Sequence, residues 1–116
     1  MSRVFIVQKH LVQDRTTGLL KEKLDMTPAM EFGRLAYLLE ADPSPGRTAE
    51  YIERMAKMLD DFCDDDYLLL TGSPVLIGVA FALAADANGG RVRTLQYNRK
   101  FNRYDEIDCK VWEEDS

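Results

Sequence analysis

Thr71-Gly72-Ser73 is where residue types and spacing in this chain come nearest to a binding site. These residues follow the apolar run Tyr67-Leu68-Leu69-Leu70 and precede Pro74 and a long apolar segment, Val75 to Ala87. The order reads as strand, turn, helix. At the carboxyl end of a parallel strand, the first turn of the next helix offers unpaired N–H groups and the positive end of its dipole. Gly72 lets a ligand approach the backbone, so a phosphate or nucleotide suits the place. The motif is incomplete. There is no GxGxxG, and Gly72 to Gly78 makes no GxxxxGK[ST] loop, because Val79 and Ala80 stand where the lysine and hydroxyl are needed. The plain structural alternative is Ser73 as the N-cap of a helix with proline at its first position.

Two charged clusters are the other candidates. Asp64, Asp65 and Asp66, with Asp60 and Asp61 before them, lie where a helix should end, so they gain nothing from its dipole. They suit a cation or a basic partner, although the spacing is not that of a calcium loop. As an ordinary feature they are a solvated loop between helix and strand. Arg99, Lys100, Phe101 and Arg103, near Arg91 and Arg93, combine cations with the aromatics Tyr97, Phe101 and Tyr104. Such a patch can stack bases and contact phosphates, or meet an acidic protein. Asp105, Glu106 and Asp108 oppose it across a hairpin and can pair with it, which is the ordinary reading. Tyr104 and Trp112 are packing residues, or anchors of an interface.

His10 is the only histidine. It can serve as a base for Ser73 only if the fold brings them together, and as a strand residue it needs no function. With no nucleophile beside a base, no catalytic residue is assigned. The cysteines, Cys63 and Cys109, form no CxxC pair and read as reduced apolar residues. No Cys/His cluster points to a metal, and no cofactor fingerprint is present.

The 116 residues make one domain, residues 1–112, with an acidic tail, residues 113–116. Hydrophobic content of 46% and charged content of 30% exclude disorder. A formal charge of −5 argues against a general nucleic-acid binder. The amino terminus is too short and too soon charged for a signal peptide, and Val75–Ala87 is shorter than the ~20 apolar residues of a membrane span. The expectation is a cytoplasmic protein with no membrane association.

Val4 to Val12 reads as a strand, Asp14 to Gly18 as a turn, and Leu19 to Leu24 as the return of a hairpin. Thr27-Pro28 starts a helix. The next segment is open to two readings, a helix through Leu39 or a short helix stopped at Gly33 followed by a strand, Arg34 to Leu39. The strand keeps a regular alternation of elements and is preferred. Asp42 to Gly46 is a loop. From Arg47 to Cys63, Ile52, Met55, Ala56, Leu59, Phe62 and Cys63 share one helical face. Val75–Ala87 is apolar around most of its circumference, which calls for burial on two sides or by a second copy. Asn88-Gly89-Gly90 ends it. Arg91 to Trp112 is a hairpin whose return strand should turn Ile107, Cys109 and Val111 inward. The fold class is α/β: one small domain of two or three layers, its mixed sheet built on a central βαβ unit with antiparallel hairpins at the edges.

The run from Asp64 to Gly78 and the later Ala84-Ala85-Asp86-Ala87-Asn88-Gly89-Gly90-Arg91-Val92 resemble small uncharacterised proteins encoded by bacteriophages and their hosts. The resemblance extends back through Thr27-Pro28-Ala29 and Phe32-Gly33. It implies a phage-type origin, with modulation of a host process or of phage replication, and supplies neither an activity nor site residues. The leading expectation is a non-enzymatic accessory protein acting by protein contact through Asp64–Asp66 and through Arg99, Lys100, Phe101 and Arg103, with a homodimer as its candidate assembly. The alternative is a nucleotide or phosphate binder, or small hydrolase, using Thr71–Ser73. A nucleic-acid contact through the last hairpin is a third reading.

Overall fold

The computed structural model describes residues 2–9, 11–22, 26–40 and 45–113. His10, the end of the first hairpin at Leu24, the loop at Asp42–Ser44 and the acidic tail beyond Glu113 lie outside the described residues.

Apolar runs set the strands. β1 (Arg3–Gln8) and β5 (Tyr67–Leu69) are apolar at nearly every position because they are covered on both faces, the usual state of parallel strands. β1 pairs in parallel with β4 (Arg34–Leu39) on one side and with β5 on the other. β5 pairs in parallel with β6 (Arg91–Asn98), and β6 in antiparallel with β7 (Arg103–Lys110). The five-stranded sheet therefore runs β4-β1-β5-β6-β7. This is the α/β class expected, with β5, α2 (Pro74–Ala87) and β6 forming the central βαβ unit.

Both helices lie on one face. Met55 and Leu59 from α1 (Thr48–Met58) and its end, with Leu76, Ala80 and Ala84 of α2, pack on Phe5, Val7, Leu38, Leu68 and Val92. The other face is closed by a 3-10 turn, Thr27–Glu31: Met26, Ala29 and Phe32 cover Val4, Ile6, Leu69 and Leu95. Arg34–Leu39 is a strand, as preferred from the sequence. Gly33 makes this possible, since a Cβ there would sit 2.6 Å from the Ser2 carbonyl oxygen.

Several expectations need correction. Val4 to Val12 is not one strand: the chain leaves the sheet after Gln8, and Leu11–Gln13 (β2) pairs only with Leu20–Glu22 (β3). The first hairpin is thus a separate two-stranded sheet. The helix expected to reach Cys63 ends at Met58; Leu59 and Phe62 still turn inward through successive turn bonds, but Ile52 and Cys63 are exposed. Ile107 on β7 and Val111 just past it are exposed and Cys109 is half-buried, because the helical layer packs chiefly on β1, β4 and β6. Tyr104 is the buried residue of that strand, on the opposite face.

Candidate functional site

The parallel strands bring the carboxyl ends of β1, β5 and β6 to one end of the sheet. The chain turns from β1 to β4 on one side and from β5 to β6 on the other, so the gap between β1 and β5 is the topological switch point, where open α/β sheets place ligands. Thr71, Gly72 and Ser73 lie there. Thr71 is buried; Ser73 occupies the N-cap position of α2, yet its hydroxyl makes no capping bond. Its backbone N–H donates instead to the side-chain oxygen Oε1 of Gln8, at 2.8 Å. Gly72, at φ 110°, admits that side chain: a Cβ would stand 2.4 Å from both Cβ and Oε1 of Gln8. The entrance to the helix is therefore occupied by the protein's own amide. Gln8 was not singled out by sequence reasoning, although a polar residue closing the run Val4–Val7 at a strand's carboxyl end is the available signal.

The same end carries the tip of the β6–β7 hairpin. Asn98 Oδ1 accepts the N–H of Lys100 at 3.0 Å, and Tyr97 donates its hydroxyl to Asn102 Oδ1 at 2.6 Å. This fixed turn holds Phe101 57% exposed. Arg103 lies 4.8 Å and Lys100 5.5 Å from the centre of its ring, a cation on an aromatic surface from each neighbour. Arg103 also pairs with Asp105 at 3.0 Å. Among the described residues Arg99 and Lys100 make no ion pair.

The aspartates sit at the opposite end, before β5. Asp66 is not a surface residue: it is 1% exposed. Arg3 donates to it from Nη2 at 2.7 Å and from Nε at 3.1 Å, and the backbone N–H of Cys63 donates at 3.1 Å. Burial pushes this carboxyl up, but the hydrogen bonds from Arg3 and Cys63 outweigh it and hold it below the ordinary carboxylate range. The Arg3 guanidinium is raised in turn, chiefly by its bond to Asp66. Asp66 thus belongs to the folding of the loop, which removes it from the expected partner surface. Asp64 pairs with Arg91 at 3.1 Å and accepts from Asn88 at 2.8 Å, while Asp65 is exposed. A shallow polar hollow of about 580 Å³ lies beside them, lined by Asp64, Asn88, Arg91, Lys110 and Glu113 among others. Its charges are of both signs, so it selects no ion.

The structure therefore separates the candidate residues into two groups. Thr71–Ser73 and Arg99–Arg103 share the carboxyl end of the sheet; Asp64–Asp66 lie at the other. Among the described residues no group of three or more His, Cys, Asp or Glu is placed to hold a metal ion, and no helix is long and apolar enough to cross a membrane.

The model of the family described as Phage Pam3 gp32-like protein matches residues 2–111. No curated protein and no solved structure matches the chain. The chain belongs to this phage protein family, as its resemblance to phage-encoded proteins implied.

Proposed function

We propose that this member of a phage protein family acts by contact with another protein, through the tip Arg99, Lys100, Phe101 and Arg103. The observation that carries this reading is the presentation of Phe101 between two cations on a turn fixed by its own hydrogen bonds. An exposed aromatic ring costs solvation unless something covers it, and aromatic residues with arginine are the usual anchors of an interface. The cations select an acidic surface, and the rigid turn lowers the entropy lost on binding. Asp64 and Asp65 offer a second, weaker contact at the other end.

The test compares capture from host-cell extract by the wild-type protein and by R99A/K100A and F101A. A host protein retained by wild type should be lost or reduced by about tenfold or more with each tip variant. D64N/D65N should retain it in large part. Equal capture by all variants counts against the tip.

A second reading is favoured by the position of Thr71–Ser73 at the switch point: an anionic small molecule, such as a nucleotide or phosphorylated metabolite, binding there. The amide of Gln8 must swing aside for it, so Q8A should bind more tightly than wild type. Binding raises the melting temperature by mass action. No shift of either protein with a panel of nucleotides and sugar phosphates would remove this reading.

A further inference from the structure

β7 is an edge of the five-stranded sheet. It runs for eight residues in unbroken register with β6, from Arg91↔Lys110 to Asn98↔Arg103. The Val111 N–H extends the ladder by donating to the Gly90 carbonyl at 2.7 Å. The ladder ends there, because the Gly90 N–H turns to the Ala85 carbonyl. Antiparallel bonding alternates, so Arg103, Asp105, Ile107, Cys109 and Val111 turn their backbone groups to β6. Tyr104, Glu106, Asp108 and Lys110 turn theirs outward. Such a row of donors and acceptors is a template for another strand.

The side chains of β7 divide by face. Cys109 stands opposite Val92, which packs in the helix-bearing core, so Ile107, Cys109 and Val111 share that face. Ile107 is 43% and Val111 54% exposed there. Charge commonly guards an edge strand, but Glu106 and Asp108 stand on the other face and are drawn back toward β6, by Arg93 at 3.2 Å and by Arg91 at 2.8 Å. The opposite edge, β4, holds its register against β1 from Arg34 through Leu39, yet none of its large apolar side chains is exposed. The edge that presents apolar groups to solvent is β7.

We propose that β7 pairs in antiparallel fashion with β7 of a second copy of this chain, across a twofold axis at Cys109. The alternation of bonding puts the axis on a residue, and charge decides which one. An axis at Asp105, Glu106 or Asp108 sets a carboxylate against its own copy. An axis at Ile107 sets Glu106 against Asp108 of the partner subunit. An axis at Tyr104 or Lys110 pairs only three residues of each strand between Arg103 and Val111. At Cys109 the paired span is 107–111, and no like charges are opposed. Asp108 meets Lys110 of the partner subunit, twice by symmetry, and their outward backbone groups bond each other. Ile107 meets Val111 of the partner subunit, so both exposed aliphatic side chains are covered, on either side of the Cys109 pair. The interface is isologous and closes at two copies. The hairpin tip lies outside the paired span, so this contact is independent of the one proposed above.

The axis carries its own reporter. Cys109 and its symmetry mate form a non-hydrogen-bonded pair, with Cα atoms about 4.5 Å apart, which a disulfide can span. C63S treated with diamide should give a covalent dimer on a non-reducing gel; the two sulfurs join, and diamide takes up the two electrons and two protons that the thiols release. C109S, which keeps the more exposed Cys63, should remain monomeric on the gel. The register is read by I107C/C63S/C109S and V111C/C63S/C109S. Each alone should remain monomeric, because its two introduced thiols stand four residues apart along the strands, about 14 Å. A mixture of the two should crosslink. K110E should reduce the crosslinking of C63S severalfold. Ile107, Lys110 and Val111 are exposed, so their replacement spares the fold, and circular dichroism checks each variant. Four results would overturn the proposal: no covalent dimer from C63S, an equal yield from C109S, no crosslink in the mixture, or no effect of K110E.

Discussion

Asp66 and Arg3 are sixty-three positions apart in sequence, and their contact closes the amino end of the sheet. Arg3 N–H and its guanidinium bind the carboxylate, as does Cys63 N–H, so one side chain ties β1 to the turn before β5. Replacement by asparagine keeps the shape and removes the charge. D66N should destabilise the domain by about 2 kcal/mol, the scale of hydrogen bonds to a charged group, measured as a lower urea midpoint. Its pH dependence has a definite sign. The carboxyl is depressed in the folded state, so its contribution is fully present above the unfolded value of about 4 and is lost as pH falls through the folded value. The wild-type midpoint should decline through that acidic window more steeply than that of D66N; parallel curves would deny the linkage.

Among the elements, α2 shows what its sequence could and could not reveal. Its near-uniform apolarity reflects burial of Leu76, Ala80, Ala84 and Ala85 on the sheet and half-burial of Ile77, Val79, Phe81 and Leu83 at the flanks. The outer line of Val75, Gly78 and Ala82 stays exposed. Gly78 has open space where a Cβ would stand. G78A should therefore stabilise the protein by about 0.5–1 kcal/mol through helix propensity alone, read as a raised thermal midpoint. A fall would mean that something packs there. The βαβ unit was legible because each of its boundaries carries its own local chemistry: Pro74 at the helix start, Asn88-Gly89-Gly90 at its end. The strand at Arg34–Leu39 was legible through the regular alternation of elements that it keeps, with Gly33 able to stop the short helix before it. Orientation on β7 was not, because alternation says which residues share a face but not how far the helices extend over it. Nor was the fate of Asp66, since nothing local distinguishes it from Asp64 and Asp65; only the pairing of β1 with β5 brings Arg3 to it. Gln8 went unremarked because Val4 to Val12 reads as one continuous strand, which hides the strand's true end at Gln8.

Taken as a whole, the molecule is long for its size. Its Cα radius of gyration is 14.6 Å, against about 13 Å for a compact chain of this length, and its extents are 56 × 36 × 23 Å. The topology also has a consequence for how the protein is made. The inner strand β1 leaves the ribosome before both of its neighbours, which come much later, at Arg34–Leu39 and Tyr67–Leu69. Until β5 has emerged, β1 has one flank uncovered, and the core on both of its faces is unfinished. Synthesis thus imposes a waiting time on the amino-terminal half, during which Val4–Val7 is the segment most in need of a chaperone.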